Sequence, residues 1–449
     1  MSHFDSLLRA AGMSARESEN KAKLLHKLAE RLNDLCGGAS RPSTALFIPG
    51  RLECLGKHTD YAGGRSLICA IERGVCLIAA RRSDTQVRIL DAGRKLETRF
   101  SLGGPGHSQP ADWSKYAVTA ARRLAHDFPG ARHGADIVLE SDLPRASGMS
   151  SSSALIIAIF LALAEVNSLS RSDSYRQFLS SREHLAGYLA AVESGADFAS
   201  FSGGLGVGTF GGSEDHVAIL CSRAGFLRQY AYCPIRLERE VAVPENYIFV
   251  VGVSGVRADK TGDAQEAYNR MSLATRRILE AWRASTGRDE TSLAAVLASS
   301  PNAGEKLGDI LLHGRDPNFP SEFTLNRLAQ FAEESNEIVP TAADALAQGE
   351  MDKFGALVDR SQSLAEKLLG NQTPETIELA RSARSLGAAA ASAFGAGFGG
   401  SVWALVPAAR AENFREAWMA KFHQTFPERA AASAFFVTGA GPGLIQFQA

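Results

Sequence analysis

Apolar and polar residues recur with clear periods along the chain, and these periods predict helices and strands in an irregular order. Leucines at helical spacing between Asn20 and Leu35 predict a surface helix. The apolar run from Ala154 to Val166 predicts a buried helix that begins near Ser150. The other predicted elements are strands at Ala45–Ile48, Gly134–Glu140, Val217–Ser222, Tyr247–Gly252, Ser401–Val406 and, last, Ala434–Thr438, a strand pair at Ser66–Arg81 broken near Gly74, a hairpin at Val87–Leu90 and Lys95–Ser101, a helix at Trp113–Ala125, and a mostly helical region from Ala264 to Leu369.

Strands and helices mix without a regular βαβ rhythm, which favours an α+β fold over a doubly wound parallel sheet. The chain has 449 residues and is 45% hydrophobic, which is enough for more than one domain. A change in composition at Pro234–Pro244 predicts a domain boundary there. We therefore expect an N-terminal domain at residues 1–238 and a C-terminal domain at residues 239–449.

Bulk charge excludes some partners, because a formal net charge of −1 gives no basis for binding nucleic acid or a membrane surface. The apolar run before Val166 is too short to span a bilayer, and it contains Glu165. The first residues do not resemble a signal peptide, and the six cysteines show no CxxC spacing. We expect a cytoplasmic protein with reduced thiols, and the sequence gives no indication of its oligomeric state.

A first polar segment, PGRLECLGKHTDYAGG, spans residues 49–64 and follows an apolar strand. Its charged residues Arg51, Lys57, His58 and Asp60 can reach one cavity. Asp and His side chains bind sugar hydroxyls, whereas Arg stabilises a phosphate or a developing oxyanion. The alternative is an ordinary charged surface loop.

A second segment, PRASGMSSSSA, spans residues 144–154 and leads into the long apolar helix. Free N–H groups and the helix dipole make a helix N-terminus an anion site, and small residues let phosphates approach the backbone. The alternative is a simple serine N-cap, although four consecutive serines exceed what capping needs. No GxxxxGK[ST] motif is present, so the segment is not a Walker-type loop.

A third segment, GAGFGG, spans residues 395–400 and formally matches GxGxxG. We expect the order helix, glycine loop, strand, whereas a dinucleotide fingerprint needs strand, loop, helix. The remaining interpretations are a tight structural turn and a loop whose backbone approaches a ligand.

Together and in this order, the three segments resemble the three motifs of the GHMP small-molecule kinases. The first is similar to the galactokinase signature PGR-x-N-x-x-GEHTDY-x-GG. The resemblance implies an N-terminal domain like the second domain of ribosomal protein S5 and a ferredoxin-like C-terminal domain, with the active site in the cleft between them. It also implies an ATP-dependent kinase, assisted by Mg²⁺, that phosphorylates the anomeric hydroxyl of galactose or a close relative.

The resemblance assigns roles to individual residues. Asp215 is the expected general base, or the group that orients the sugar hydroxyl, and Arg51 beside it lowers its pKa. The expected sugar contacts are Lys57, His58, Asp60, Gly212 and Tyr268. The expected nucleotide contacts are Trp113, Tyr116, Ser147, Gly148, Ser150, Ser151, Ser152 and Ser153. The expected Mg²⁺ ligands are Ser152 and Glu193.

Four features depart from the galactokinase pattern. Lys57 replaces a Glu that holds the C6 hydroxyl of the sugar, which predicts either a sugar altered near C6, such as a uronic acid, or a lysine that points into solvent. His216 replaces Gln, and Ala146 replaces Gly. An insertion at Gly195–Gly204 either reshapes the cleft or lengthens a surface loop.

Two other functions fit the same motifs. One is a related kinase for arabinose, a uronate or a heptose. The other is a sensor that binds sugar and ATP without catalysis, as some galactokinase relatives do. The intact Ser153-Ala154 pair, together with Asp215 and Arg51, favours an enzyme.

Overall fold

The computed structural model describes residues 3–38, 42–104, 113–204, 206–258, 263–314 and 316–447. Its helices are α1 (His3–Ala10), α2 (Ala15–Leu35), α3 (Ser114–Asp127), α4 (Ser151–Val166), α5 (Asp173–Phe178), α6 (Arg182–Ser194), α7 (Glu214–Cys221), α8 (Asp263–Thr286), α9 (Leu293–Ala298), α10 (Ala303–His313), α11 (Ser321–Glu333), α12 (Val339–Ala347), α13 (Met351–Leu364), α14 (Pro374–Ser385) and α15 (Ala411–Thr425). Its strands are β1 (Thr44–Leu55), β2 (Arg65–Arg81), β3 (Gln86–Asp91), β4 (Leu96–Ser101), β5 (Ala135–Ser141), β6 (Phe226–Ala231), β7 (Arg236–Ala242), β8 (Tyr247–Val253), β9 (Ala390–Phe394), β10 (Ser401–Pro407), β11 (Ala434–Thr438), β12 (Ala440–Gly441) and β13 (Ile445–Phe447).

The first sheet is built around the long antiparallel pair β1 and β2. Its strands run in the order β13-β1-β2-β5-β3-β4, with β6, β7 and β12 attached along β2. Helix α4, buried along most of its length, packs against β1 and β2, while α3 packs against α4. The predicted surface helix is confirmed as α2, whose leucines Leu25, Leu28 and Leu32 pack on the opposite face of the sheet.

The predicted break in the strand near Gly74 is wrong, because β2 runs without interruption from Arg65 to Arg81. Gly74 pairs with Pro49, where β1 carries a bulge. A Cβ at Gly74 would collide with the backbone of Ile48 and Pro49. The glycine therefore allows two strands to approach closely rather than ending one of them.

The predicted strand at Val217–Ser222 is also wrong, because these residues form most of helix α7. Every residue from His216 to Cys221 is buried, against α4, α6 and the first sheet. An apolar run this short has no polar face to reveal its period, so periodicity cannot separate a buried helix from a buried strand.

The second sheet is antiparallel, with strand order β11-β8-β10-β9. Helices α14 and α15 cover one face around Trp418. The other face, with Phe249 and Trp403, shares an apolar core with Leu52 and Cys69 of the first sheet. This arrangement confirms the expected two-domain α+β fold.

The chain crosses between the sheets and then returns. Strand β7 runs across residue 238, so the division at residues 238 and 239 stays a prediction. Beyond β11, which was expected to be the last strand, β12 and β13 pair with β2 and β1 of the first sheet.

The region from 263 to 369 is mostly helical, as predicted. Among the described residues, no helix has the length and apolar character needed to cross a bilayer.

Candidate active site

Two cavities meet at one ion pair. Arg51 projects from β1 and Asp215 from the first turn of α7, and both side chains line both cavities, as does Ala396. Nε of Arg51 donates a hydrogen bond to Oδ1 of Asp215 over 2.7 Å. The two expected catalytic residues are therefore in direct contact.

The guanidinium of Arg51 is buried and remains charged. Nη1 donates to the carbonyl oxygen of Gly148 in the second motif. Burial disfavours the cation, but the nearby carboxyl groups of Asp215, Glu53 and Glu214 outweigh it and raise the pKa of Arg51 above its usual value. Arg51 thus provides a fixed positive charge where the cavities meet.

The first cavity is rich in carboxyl groups, and we call it the carboxyl-rich cavity. Four of the expected sugar contacts, His58, Asp60, Gly212 and Tyr268, line it. The remaining polar residues that line it are Arg51, Glu53, Tyr61, Ser153, Glu193, Ser194, Thr209, Glu214, Asp215 and His216. Such a surface offers many acceptors to a ligand with several hydroxyl groups.

Backbone and side-chain contacts fix the first motif at the wall of this cavity. Oδ1 of Asp60 accepts from the backbone N–H of Tyr61 over 2.8 Å, and Oδ2 accepts from the N–H of Glu214 over 3.1 Å. His58 places Nδ1 2.9 Å from Oη of Tyr61. A Cβ at Gly212 would collide with the carboxylate of Asp60, so this position needs glycine.

Lys57 does not line either cavity. Its ammonium donates to Oγ of Ser361 over 3.0 Å and to Oγ of Ser392 over 2.8 Å, and the residue is 1% exposed. Ser361 also donates to Glu334, whose carboxylate accepts from the N–H of Gly56. Neither expected outcome, a contact with the sugar or a side chain in solvent, describes this buried lysine.

The helical region supports the first motif from behind, which the sequence did not predict. Arg327 of α11 donates to the carbonyl oxygen of His58, and Gln330 donates to that of Lys57 over 3.1 Å. Both side chains are buried. Nothing in the helical period distinguishes these two residues from other polar positions of the helix.

The second cavity holds the serine motif, and we call it the serine-lined cavity. Apolar side chains form part of its wall, and the expected adenine contacts Trp113 and Tyr116 line it too. The apolar side chains are Val75, Leu139, Leu143 and Leu155, and the cationic ones besides Arg51 are Arg94, Lys115, Arg145 and Arg257. A flat apolar group and an anionic group can therefore bind in the same cavity.

The start of α4 faces this cavity. Ser150, Ser151 and Ser152 line it, as does Gly148. Ser150 has a left-handed backbone with φ of 59°, and its buried hydroxyl has no hydrogen-bond partner among the described residues. An anion at the helix N-terminus would supply that partner.

Two of the expected nucleotide contacts lie elsewhere. Ser147 lines neither cavity, and its hydroxyl donates to the carbonyl oxygen of Pro144 over 2.7 Å. Ser153 lines the carboxyl-rich cavity instead, where it donates to Oε2 of Glu193 over 2.7 Å. A serine run at the start of a helix spreads around its axis, so its members cannot all face one ligand.

The expected Mg²⁺ ligands are neighbours. Oγ of Ser152 lies 3.5 Å from Oε1 of Glu193, while Nε2 of His216 lies 3.3 Å from Oε2 of Glu193. Mg²⁺ in kinases is held by one or two protein oxygens together with phosphate oxygens and water. No cluster of three or more His, Cys, Asp or Glu suited to a metal occurs in the described part of the chain. Ser152 and Glu193 thus fit Mg²⁺ that arrives with a phosphate ligand.

The third motif connects two strands, so the expected order of helix, loop, strand is wrong. Strand β9 enters the loop and β10 leaves it. A Cβ at Gly395 would lie 2.9 Å from the carbonyl oxygen of Gly148. The loop is therefore a tight turn whose backbone packs on the second motif and places Ala396 at both cavities.

The other departures from the family pattern have clear positions. Ala146 adopts a left-handed backbone with φ of 48°, a conformation that glycine takes without strain. In the insertion, Phe198 and Phe201 form a β-bridge and pack against Tyr188. Since neither phenylalanine lines a cavity, the insertion is anchored to the core of the N-terminal domain.

Sequence reasoning missed two acidic residues of the carboxyl-rich cavity, Glu53 and Glu214. Burial raises the pKa of Glu214 well above its usual range and also raises that of Glu53, against the lowering effect of Arg51 and Lys57. A signal for Glu53 was present, because it stands where the galactokinase signature has Asn.

Comparisons with known proteins agree with this geometry. Residues 115–204 match the GHMP kinases N terminal domain, residues 342–425 match the GHMP kinases C terminal domain, and residues 36–81 match the galactokinase galactose-binding signature. A galactokinase from Chloroflexus aggregans is 28% identical over 393 residues, covering 85% of this chain and 88% of that protein. One from Ligilactobacillus salivarius is 27% identical over 82% of this chain and 87% of its own length. The crystal structure of Lactococcus lactis galactokinase with galactose superposes with a TM-score of 0.77 at 22% identity, covering 94% of this chain and 99% of that one.

Proposed function

This chain belongs to the GHMP kinases and carries the galactokinase galactose-binding signature, and we propose that it transfers the γ-phosphate of ATP to the anomeric hydroxyl of galactose. The observation that carries this proposal is the position of Arg51 and Asp215. Their ion pair lies where a cavity suited to a polyhydroxylated ligand opens into a cavity suited to a nucleotide.

ATP binds in the serine-lined cavity. The adenine stacks near Trp113 and Tyr116, and the phosphates lie at the N-terminus of α4, where the hydroxyl of Ser150 and free N–H groups donate to them. Arg145 and Arg257 add positive charge. This orientation directs the terminal phosphate toward Arg51.

The sugar binds in the carboxyl-rich cavity, with its anomeric hydroxyl at Asp215. Asp215 accepts a hydrogen bond from that hydroxyl, orients its oxygen toward the phosphorus and accepts the proton as the bond forms. Arg51 holds the carboxylate of Asp215 in place through their ion pair and stabilises negative charge on the transferring group. When bound, Mg²⁺ at Ser152 and Glu193 would neutralise charge on the phosphates.

Charge in the cavity favours a neutral sugar over a uronic acid. Five carboxyl groups line it, from Glu53, Asp60, Glu193, Glu214 and Asp215, and Lys57 points away from it. A sugar carboxylate would meet like charges, and the guanidinium of Arg51 in this cavity already pairs with Asp215. The lysine therefore gives no reason to replace galactose, which the cited relatives act on by name, with a uronate.

The direct test is galactose-dependent release of ADP from Mg-ATP by the purified protein. We expect turnover with galactose, at least 100-fold less with galacturonate on the like-charge argument, and none above background for Asp215→Ala. Turnover of galacturonate in preference to galactose would contradict the substrate assignment. Tight binding of galactose without ADP release would indicate a sensor instead of a kinase.

A further inference from the structure

Two buried charged residues beside the first motif, Lys57 and Glu334, have no part in the proposed reaction. Neither lines either of the two cavities, and both are almost completely buried. Nζ of Lys57 donates a hydrogen bond to Oγ of Ser361 over 3.0 Å, and the same hydroxyl donates to Oε1 of Glu334 over 2.9 Å. One hydroxyl group therefore joins the ammonium to the carboxylate, and we call Lys57 and Glu334 the buried charge pair.

Each member of the pair lacks a closer counter-ion. In the described part of the chain, Lys57 forms no ion pair with a carboxylate, and Glu334 forms none with a cationic side chain. Oε2 of Glu334 is buried and accepts no hydrogen bond from a described residue. A buried charge is costly unless an opposite charge compensates it, so removal of one member leaves the other uncompensated.

The pair connects the first motif to the C-terminal domain. The backbone N–H of Gly56 donates to Oε1 of Glu334 over 2.7 Å, shortly before α12 begins. The ammonium of Lys57 also donates to Oγ of Ser392 in β9 over 2.8 Å. Two consecutive residues of the first motif are thus held by separate elements of the C-terminal domain.

Strand β9 carries this connection to the third motif. The strand ends at Phe394, immediately before that motif. His58, which lines the carboxyl-rich cavity, places Nε2 3.1 Å from the carbonyl oxygen of Ala396 in the third motif. Since Lys57 and His58 are adjacent in the chain, the same two motifs are joined at the cavity by His58 and in the protein interior by Lys57.

We propose that Lys57 and Glu334 are positioning residues for the carboxyl-rich cavity, because the buried charge pair fixes the first motif, and with it His58 and Asp60, against the third. Neither member of the pair touches the ligand. The inference rests on the proposed sugar-kinase function, and it adds a determinant of galactose binding that lies outside both cavities.

The first test changes the charge of Lys57. Lys57→Met keeps most of the side-chain length and removes the ammonium, so the calorimetric Kd for galactose should rise about tenfold as the binding groups shift. Lys57→Glu places a second carboxylate at Glu334 and should raise this Kd about 100-fold. The KM for ATP should change less than about threefold, because the pair hydrogen-bonds no described residue that lines the serine-lined cavity. A wild-type Kd in both variants would overturn the inference.

The second test asks whether the two residues act as a pair, and it holds even where Lys57→Met does not fold. Glu334→Gln keeps the shape of the side chain and leaves Lys57 uncompensated, so it should raise the Kd for galactose about tenfold by itself. In the double variant with Lys57→Met neither charge remains, and the Kd should lie within about threefold of the wild type. Losses that simply add in the double variant would show that the two residues act independently and would refute the pair.

The matched control is Lys21→Met, which removes another buried ammonium. Lys21 of α2 is 2% exposed and forms an ion pair with Asp142, outside both cavities. This variant should lower the free energy of unfolding, measured by chemical denaturation, while the Kd for galactose stays within about twofold of the wild type. A rise in Kd as large as that in Lys57→Met would mean that galactose affinity reports stability alone, which contradicts a positioning role.

Hydrogen–deuterium exchange of the resting protein measures the positioning role without any substrate. The backbone N–H groups of Thr59, Gly63 and Gly64 are hydrogen-bonded within the first motif. In Lys57→Met their exchange should become at least about tenfold faster, whereas Lys21→Met should leave it unchanged. If the wild type neither binds nor phosphorylates galactose, the proposed function fails, and this exchange still decides whether the pair fixes the motif. Equal exchange at these amides in Lys57→Met and in the wild type refutes the inference.

Discussion

The two cavities that meet at Arg51 and Asp215 recognise their ligands by opposite means. The carboxyl-rich cavity presents acceptors, held rigid by the backbone around Asp60 and Gly212. The serine-lined cavity presents donors, namely the N-terminus of α4, hydroxyl groups and cationic side chains, together with apolar side chains. We therefore expect a polyhydroxylated ligand to favour the first cavity and a polyanion to favour the second.

The position of the ion pair follows from this contrast between the cavities. Arg51 is the cation shared by both cavities, and Asp215 is the shared carboxylate. In the proposed reaction, Arg51 stabilises charge on the transferring phosphate, and Asp215 accepts the proton of the attacking hydroxyl. Substitutions in either cavity should alter the binding of one ligand, whereas substitutions in the ion pair should alter the rate of phosphoryl transfer.

The largest effect is expected at the shared carboxylate. Asp215→Asn keeps the shape of the side chain and removes its charge, so kcat should fall about 10³-fold while both ligands still bind. Initial rates of ADP release with titration calorimetry for galactose and for ATP check this. A kcat within tenfold of the wild type would show that Asp215 does not assist the transfer.

The next effect separates the carboxyl-rich cavity from its neighbour. Gly212→Ala forces Asp60 aside and should lower kcat/KM for galactose about 100-fold, because misplacement by about 1 Å has effects of this size. The KM for ATP should stay unchanged. Gly308→Ala in α10, where a Cβ meets nothing within 4 Å, is the control and should behave as the wild type. An equal loss of kcat/KM for galactose and for ATP in Gly212→Ala would refute a role confined to the carboxyl-rich cavity.

A complementary change isolates the serine-lined cavity. Trp113→Ala removes an aromatic surface and should raise the KM for ATP about tenfold, since stacking on a base is worth about 1–3 kcal/mol. The KM for galactose should not change, and Trp113→Phe should recover most of the loss. Steady-state kinetics with each substrate varied in turn measure both constants. An unchanged KM for ATP would place the adenine elsewhere.

The smallest effect concerns Ala146 in the loop of the second motif, which lines the serine-lined cavity. Ala146→Gly relieves a left-handed alanine and should stabilise the fold by about 1 kcal/mol. Ala420→Gly on the exposed face of α15 should have the opposite sign and similar size. Chemical denaturation of both variants measures the free energy of unfolding. A lower free energy of unfolding for Ala146→Gly than for the wild type would mean that Ala146 does not strain the loop backbone.

The sequence predicted the three motifs and most of the fold, because those features depend on local patterns. The expected sugar contacts His58 and Asp60, from the first motif, and Gly212 and Tyr268, from resemblance to later family segments, line one cavity. Sequence reasoning failed for the buried helix α7, whose apolar residues carry no period, and for Gly74, whose role depends on a partner strand.

Side-chain direction was the part that could not be predicted. Lys57 adjoins His58 in the chain, yet its ammonium lies on Ser361 and Ser392, more than 300 residues away in sequence. Arg327 supports the same motif from a helix whose pattern gave no sign of it. Contacts of this kind depend on tertiary packing, so a motif identifies a site but does not show which of its side chains face the ligand.

We propose that phosphate passes between the two cavities onto the anomeric oxygen of galactose. The most direct test is to incubate the protein with galactose and Mg-ATP and to analyse the product by ³¹P and ¹H NMR. We expect ADP and galactose 1-phosphate in equal amounts, with the phosphorus coupled to the anomeric proton. Phosphate on another oxygen, or galactose left unmodified while ATP and galactose both bind, would contradict it.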